Sequence, residues 1–226
     1  MSEFNNQLPE IEFWFDPAST YSYIAASDVA HIEAEGRGRF SYHPFLLGPI
    51  FARQGWRDSP FNLYHAKGEY MWLDMARLCA ERGLPLQRPG VFPRNSVLPA
   101  SVALVGLDEG WGKRFVAALF TANFGHDIDT ASAHGLTAVL ADLGLEPARI
   151  LALAEDSAIR ARLRSSTTIA GDRGLFGAPT FIVGTELFWG SDRLQQALTH
   201  AEKLSKAADR NFANPSLPGT SAGTRT

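Results

Sequence analysis

Apolar residues fall in two rhythms along this chain of 226 residues. Residues 11–15, Ile-Glu-Phe-Trp-Phe, are almost continuously apolar and read as a buried strand, which Asp16-Pro17 stops. From Ser19 the rhythm changes. Tyr23, Ile24, Ala26, Ala30 and Ile32 recur at helical spacing, up to a break at 35–39, Glu-Gly-Arg-Gly-Arg. Residues 40–45, Phe-Ser-Tyr-His-Pro-Phe, predict a second strand. A strand, a helix of this length and a second strand make a right-handed unit with parallel strands. Residues 46–61 carry Gly, Pro, Phe and Trp without a period and are read as an irregular aromatic loop.

Helical spacing returns with Met71, Met75, Leu78 and Cys79, and Arg82 with Gly83-Leu-Pro closes that helix. A proline-rich link follows at 85–93. From Asn95 to about Ala170 the pattern is helical throughout, broken at 106–112, 125–129 and 144–147. Asp156 and Ser157 stand where a cap for the last of these helices belongs. Residues 181–183 and 186–189 are two apolar runs divided by Gly184-Thr185, the pattern of a hairpin. Ser191-Asp192 then starts a helix carrying Leu194 and Leu198. The expected class is α/β. Residues 8–45 and 173–205 form one domain, 46–172 form an all-helical insertion domain, and 206–226, polar and without an apolar period, form a mobile tail.

Composition narrows the classes. Hydrophobic residues make up 45% and charged residues 20%, the balance of a soluble globular chain. A net charge of -3 gives no electrostatic reason to expect nucleic acid or an anionic membrane as partner. No uncharged apolar run approaches the about 18 residues of a membrane span. The opening Met-Ser-Glu-Phe-Asn-Asn-Gln lacks the basic flank and apolar core of a signal peptide. The single cysteine, Cys79, cannot pair within the chain, so a reducing compartment, the cytoplasm, is expected. His31, His65, His126, His134 and His200 show no metal spacing and His43 reads as a core or edge residue of a strand, so no metal is expected. Phosphate-binding glycine loops and the strand-Gly-x-Ser-x-Gly turn of Ser-His-Asp hydrolases are absent.

The candidate chemistry lies at Ser19. A serine at a strand-to-helix junction faces amides that lack internal partners and carry partial positive charge, a place suited to an anion. Thioredoxin-like proteins place the first cysteine of Cys-x-x-Cys at this point, whereas here the pair is Ser19-x-x-Ser22, which cannot form a disulfide. Two readings of Ser19 stay open: a helix N-cap, or a hydroxyl aimed at an anion such as a cofactor thiolate. Residues 174–180, Gly-Leu-Phe-Gly-Ala-Pro-Thr, lead into the hairpin, and an Ala-Pro-Thr entry followed by strand, turn, strand and helix is how thioredoxin folds finish. In such folds this proline is commonly cis.

Asp16-x-x-Ser19-x-Tyr21-Ser22-Tyr23, with Phe176-Gly-Ala-Pro-Thr180 and Trp189-Gly-Ser-Asp-Arg-Leu194, resembles the 2-hydroxychromene-2-carboxylate isomerases, relatives of kappa-class glutathione transferases in the DsbA-like branch of thioredoxin folds. Lys67-Gly-Glu-Tyr-Met71 resembles the Lys-Gly-x-Tyr-Met of the kappa enzymes, and the resemblance spans about residues 11–200.

The resemblance implies a thioredoxin-like fold with a large all-helical insertion, and glutathione as cofactor. It implies a thiolate that Ser19 stabilises without being the nucleophile itself. The Ala178 backbone beside Pro179 would pair with the cysteinyl unit of the tripeptide. Ser191 would hold its γ-glutamyl carboxylate and Asp192 its ammonium, or either would merely cap the last helix. For the second substrate, an aromatic or unsaturated acid, the candidates are Asn62, Lys67, Tyr70 and Tyr21. Phe45, Trp56, Phe61, Trp72 and Phe92 are offered as further aromatic wall, and Arg53 and Arg57 as partners for a carboxylate. Each aromatic residue has a core reading and each cation a surface reading beside the functional one. The expected activity is glutathione-dependent isomerisation by a homodimer in aromatic catabolism. The alternatives are a kappa-like transferase or peroxidase, and a thioredoxin-fold binding protein without catalysis.

Overall fold

A computed structural model describes residues 9–213, with the side chains described to residue 207. Strand β1 (Ile11–Phe15) leads into helix α1 (Thr20–Ala34), and β2 (Phe40–Pro44) follows. Helices α2 (Leu47–Arg53), α3 (Pro60–Leu63), α4 (His65–Arg82), α5 (Val97–Asp108) and α6 (Gly112–Phe120) come next. A π-helical turn (Thr121–Gly125), α7 (Ala133–Asp142), α8 (Pro147–Ala154) and α9 (Ser157–Asp172) complete the helical stretch. The chain then returns as β3 (Thr180–Val183), β4 (Glu186–Trp189), a 3-10 turn (Ser191–Arg193) and α10 (Leu194–Ala213).

The sheet order is β2-β1-β3-β4. β1 and β2 are parallel, in register from Ile11 against Phe40 to Phe15 against Pro44. β3 runs antiparallel to β1, with Trp14 opposite Thr180, and to β4. The apolar run of β1 has a simple cause: both of its faces are covered. Phe13 and Phe15 pack with Tyr42, Phe181 and Phe120 against α1 and α6. Trp14 turns to the other face, where Phe45, Ile50, Ala170, Leu175 and Ile182 form a second cluster. The layering is that of the expected thioredoxin-like fold.

Four differences from the sequence reading stand out. Residues 46–61, read as irregular, hold α2 and α3. The helix widens into a π-helical turn at Thr121–Gly125, which no spacing announces. Ser191-Asp192 form a 3-10 turn before α10. α10 itself continues to Ala213, well past residue 206 where the tail was placed, while 214–226 lie outside the described residues. Ala and Lys are strong helix formers, so a helix can persist there without an apolar stripe.

Candidate active site

The turn between β1 and α1 is held by a buried acid. Asp16 is 4% exposed. One of its oxygens accepts the Ala18 N–H at 2.8 Å and the Ser96 hydroxyl, and the other accepts the Leu47 N–H at 2.7 Å. Leu47 is the first residue of α2, whose own preceding residue supplies no side-chain cap. Asp16 therefore serves as the acceptor for α2 from another element. Burial pushes the Asp16 carboxyl above the usual range, while these donors pull the other way.

Ser19 then opens α1 in an extended conformation, φ -83° and ψ 118°. Its Oγ accepts the Ser22 N–H at 3.2 Å, and its hydroxyl donates to the Ala178 carbonyl at 2.9 Å. The N-cap reading is correct for the accepting lone pair. It leaves the proton free to point across the site, so cap and donor are two uses of one oxygen.

The Ala178-Pro179 bond is cis, beside the first turn of α1. No hydrogen bond from the Ala178 N–H is present among the described residues. Just before it, a Cβ on Gly177 would come within 2.3 Å of the Trp189 indole nitrogen, so the close seat of Trp189 requires glycine there. Gly190 has φ +113°, a conformation that favours glycine, and it turns the chain out of β4 so that Ser191 and Asp192 face the same cavity as Ser19. Neither side chain makes a capping hydrogen bond, and Asp192 lies 3.5 Å from Arg193 Nη2.

The cavity encloses about 1300 Å³. Ser19, Ala178, Pro179, Ser191 and Asp192 line one side, and Tyr21 and Lys67 reach it from α1 and α4. Phe51, Trp56, Phe61 and Phe92 form an aromatic wall, with Phe176 and Trp189 stacked edge to face at 4.7 Å on the proline side. Tyr21 donates its hydroxyl to Asp74 Oδ2 at 2.9 Å, and burial together with that carboxylate pushes its pKa well up. Among the lining cations, Arg82 is paired with Asp28 and Arg94 with Asp127. Lys67 lies over the Tyr64 ring at 4.8 Å; both Lys67 and Arg57 are exposed and make no ion pair among the described residues.

Other expected residues lie elsewhere. Asn62 donates to Asp58 and to the Phe92 carbonyl, and lines a separate cavity of about 530 Å³ together with Trp72. Tyr70 is 58% exposed and lines neither space. Phe45 is fully buried in the core, and Arg53 pairs with Asp172 on the surface. Asp74, Arg94 and Phe51 line this space beyond the residues expected from sequence, and the buried Asp16 carboxyl, already present in the Asp16-x-x-Ser19 motif, holds the turn. Of the first three, only Asp74 left a usable signal, for it stands seven residues after Lys67, two turns along the same face of α4.

Glutathione needs a donor for its sulfur, strand-type backbone partners for its cysteinyl unit and opposite charges for its γ-glutamyl end. The Ser19 hydroxyl, the Ala178 N–H, the neutral Ser191 hydroxyl and the Asp192 carboxylate lie on one cavity wall and are the groups that could hold such a ligand. Among the described residues, no cluster of His, Cys, Asp and Glu suits a metal, and no helix is long and apolar enough to cross a membrane.

Residues 10–201 match the family model of the DSBA-like thioredoxin domain. A curated relative named 2-hydroxychromene-2-carboxylate isomerase from Sphingobium xenophagum is 27% identical over 184 residues, covering 81% of this chain and 93% of the relative. One named Glutathione S-transferase kappa 1 from Caenorhabditis elegans is 25% identical over 224 residues, covering 93% and 98%. A solved structure of a 2-hydroxychromene-2-carboxylate isomerase superposes with a TM-score of 0.80 at 23% identity, over 89% of this chain and 98% of that one.

Proposed function

We propose that this chain, which belongs to the DSBA-like thioredoxin-domain family, is a glutathione-dependent isomerase of the 2-hydroxychromene-2-carboxylate type, acting on an unsaturated, aromatic-derived acid. The observation that carries the reading is the shared position of Ser19 and Ala178. The serine hydroxyl donates to the carbonyl of Ala178, whose N–H has no partner among the described residues, beside the cis-proline in a cavity with an aromatic wall. What bound glutathione supplies is a sulfur nucleophile that adds reversibly to an unsaturated carbon and frees rotation about the former double bond.

The chain's own residues do the rest. Ser19 exchanges Ala178 for the sulfur as acceptor of its proton, and the first turn of α1 adds partial positive charge; both favour thiolate over thiol. Ala178 pairs with the cysteinyl backbone, while Asp192 and Ser191 hold the γ-glutamyl ammonium and carboxylate. Phe51, Trp56, Phe61 and Phe92 shield the organic partner from water. Arg57 and Lys67, the lining cations without an ion pair, attract its carboxylate. Asn62 and Tyr70 do not line this cavity and would reach the substrate only by reorienting.

The coverage of the kappa-class relative favours a second reading, a glutathione transferase with the same cofactor site. Thiol titration during turnover decides between them: isomerisation leaves free glutathione constant, and transfer consumes it. Retention on immobilised glutathione separates both from a binding protein without catalysis. The reading also takes the chain to be cytoplasmic, in keeping with one buried, unpaired Cys79. It takes it to be a homodimer, in keeping with Leu63, Tyr64, Tyr70 and Leu73, large apolar side chains exposed over α3 and α4.

A further inference from the structure

Behind the cavity wall, the Ser19 turn is gripped from a second direction. The Pro17 carbonyl accepts a hydrogen bond from Asn123 Nδ2 at 3.2 Å, and both residues are buried. Asn123 is 2% exposed and lies in the π-helical turn Thr121–Gly125. Helical turns of this kind are rare and tend to occur where a side chain must be redirected for function. Here the widened turn directs the asparagine amide away from its own helix and onto a backbone carbonyl 106 residues earlier in the chain.

The amide is itself fixed. Its Oδ1 accepts from Arg94 Nη1 at 2.6 Å, and Nη1 also reaches the Asn123 carbonyl at 3.3 Å. The Arg94 side chain is 8% exposed and is held in turn by Asp127, through Nη2, and by Asp129 at 3.7 Å from Nε. Asp127, with φ +52°, also accepts the Gly90 N–H at 3.1 Å. An arginine so engaged cannot act as a substrate cation, although it lines the cavity. Its function is to set the asparagine.

We propose that Asn123 is a positioning residue of the Ser19 centre: the π-turn and Arg94 aim its amide at the Pro17 carbonyl, holding that carbonyl behind the wall and fixing how Ser19 and the first turn of α1 face the cavity. Asp16 and Asn123 divide the task. Asp16 accepts the Ala18 N–H of the turn together with donors from Ser96 and Leu47, and Asn123 donates to the Pro17 carbonyl. If that peptide swings, a carbonyl dipole turns toward the sulfur position and opposes a thiolate there.

The chemical meaning of this proposal rests on the glutathione reading, but its test needs no glutathione. In the Ser19→Cys variant the introduced thiol reports the field at the site, because helix N-termini lower thiol pKa values below about 8.5. Its pKa is read from the pH dependence of alkylation, with buried Cys79 held unreactive by a pKa of about 11. Adding Asn123→Ala, a neutral change that admits water, should raise the pKa of the introduced thiol by about one unit and slow alkylation at pH 7 several-fold. Asn123→Gln should restore part of the shift. An unchanged thiol pKa with a lowered melting temperature would overturn the proposal and leave Asn123 a structural amide. Should Asn123→Ala fail to fold, Arg94→Lys, which keeps the charge and removes the fork that orients the amide, carries the same prediction and the same contrary result. Failure of the wild-type chain to bind glutathione would count against the glutathione reading and leave the thiol titration standing.

Discussion

The Ser19 hydroxyl donates to the Ala178 carbonyl at 2.9 Å while the same oxygen accepts the Ser22 amide at 3.2 Å. The proton is thus already aimed toward Ala178, the residue whose backbone would meet a bound peptide on the proposed function. A ligand that offers its own donor to the Ala178 carbonyl releases the Ser19 proton for a thiolate. On the proposed function, cofactor binding and cofactor activation would be coupled through this one hydroxyl.

Ser19→Ala removes both uses of that oxygen. Loss of the cap should cost about 1 kcal/mol of stability. Loss of the donor should cut turnover by roughly 10²-fold or more, as for an oxyanion donor. Thermal melts and steady-state kinetics separate the two: a lowered melting temperature with turnover intact would leave Ser19 a cap alone.

The chain should carry no dithiol chemistry. Positions 19 and 22 are serines, and Cys79 is 1% exposed with its thiol pushed up to about 11 by burial. Purified protein should neither reduce insulin disulfides nor react with alkylating agents while folded. Catalysed dithiol oxidation that Cys79→Ser abolishes would show the redox assignment to be mistaken.

Asp192 is exposed and no helix amide donates to its carboxylate among the described residues, so Asp192→Asn should change stability by under about 0.5 kcal/mol, as expected for a surface substitution. The same change removes the charge opposite a γ-glutamyl ammonium, a charge-assisted contact of about 1.5–3 kcal/mol, so glutathione affinity should fall roughly 10- to 100-fold. Calorimetric titration of the two proteins decides. Equal affinities would move the γ-glutamyl site elsewhere.

Stability should depend on His43 below neutral pH. The ring stacks on Trp14 at 4.7 Å and is largely shielded, and burial lowers its pKa. A depressed histidine contributes stability that is fully present above the unfolded value of about 6.5 and is lost as pH falls through the folded value, because the unfolded chain takes the proton first. Wild-type melting temperature should therefore drop between about pH 6.5 and 5 more steeply than that of His43→Gln. Parallel curves for the two proteins would exclude the histidine as the cause.

Much of this molecule is legible locally. The unbroken apolar run of β1, the Gly184-Thr185 hairpin and Ser19 at its junction are short-range features, and each lies where the residues place it. What stays hidden is long-range. α2 begins at Leu47 without a local cap because its acceptor is Asp16, 31 residues earlier in the chain. Asn62 and Lys67 lie five positions apart, yet face different cavities, since α3 ends between them and α4 starts anew at His65. The π-turn has no sequence period of its own, and its purpose appears only when Asn123 is seen on the Pro17 carbonyl. α10 runs beyond its apolar stripe to Ala213 through a stretch that holds alanine and lysine, strong helix formers.

The central claim is that this cavity binds glutathione and holds it as a thiolate beside Ser19. Ultraviolet titration of glutathione thiolate absorbance, with and without a saturating amount of the wild-type protein, tests it most directly. The thiol pKa of the bound cofactor should fall by about one unit or more below its free value near 8.5, and Ser19→Ala should return most of that shift. A bound thiol that titrates as free glutathione does, or a shift that survives Ser19→Ala unchanged, would contradict the account.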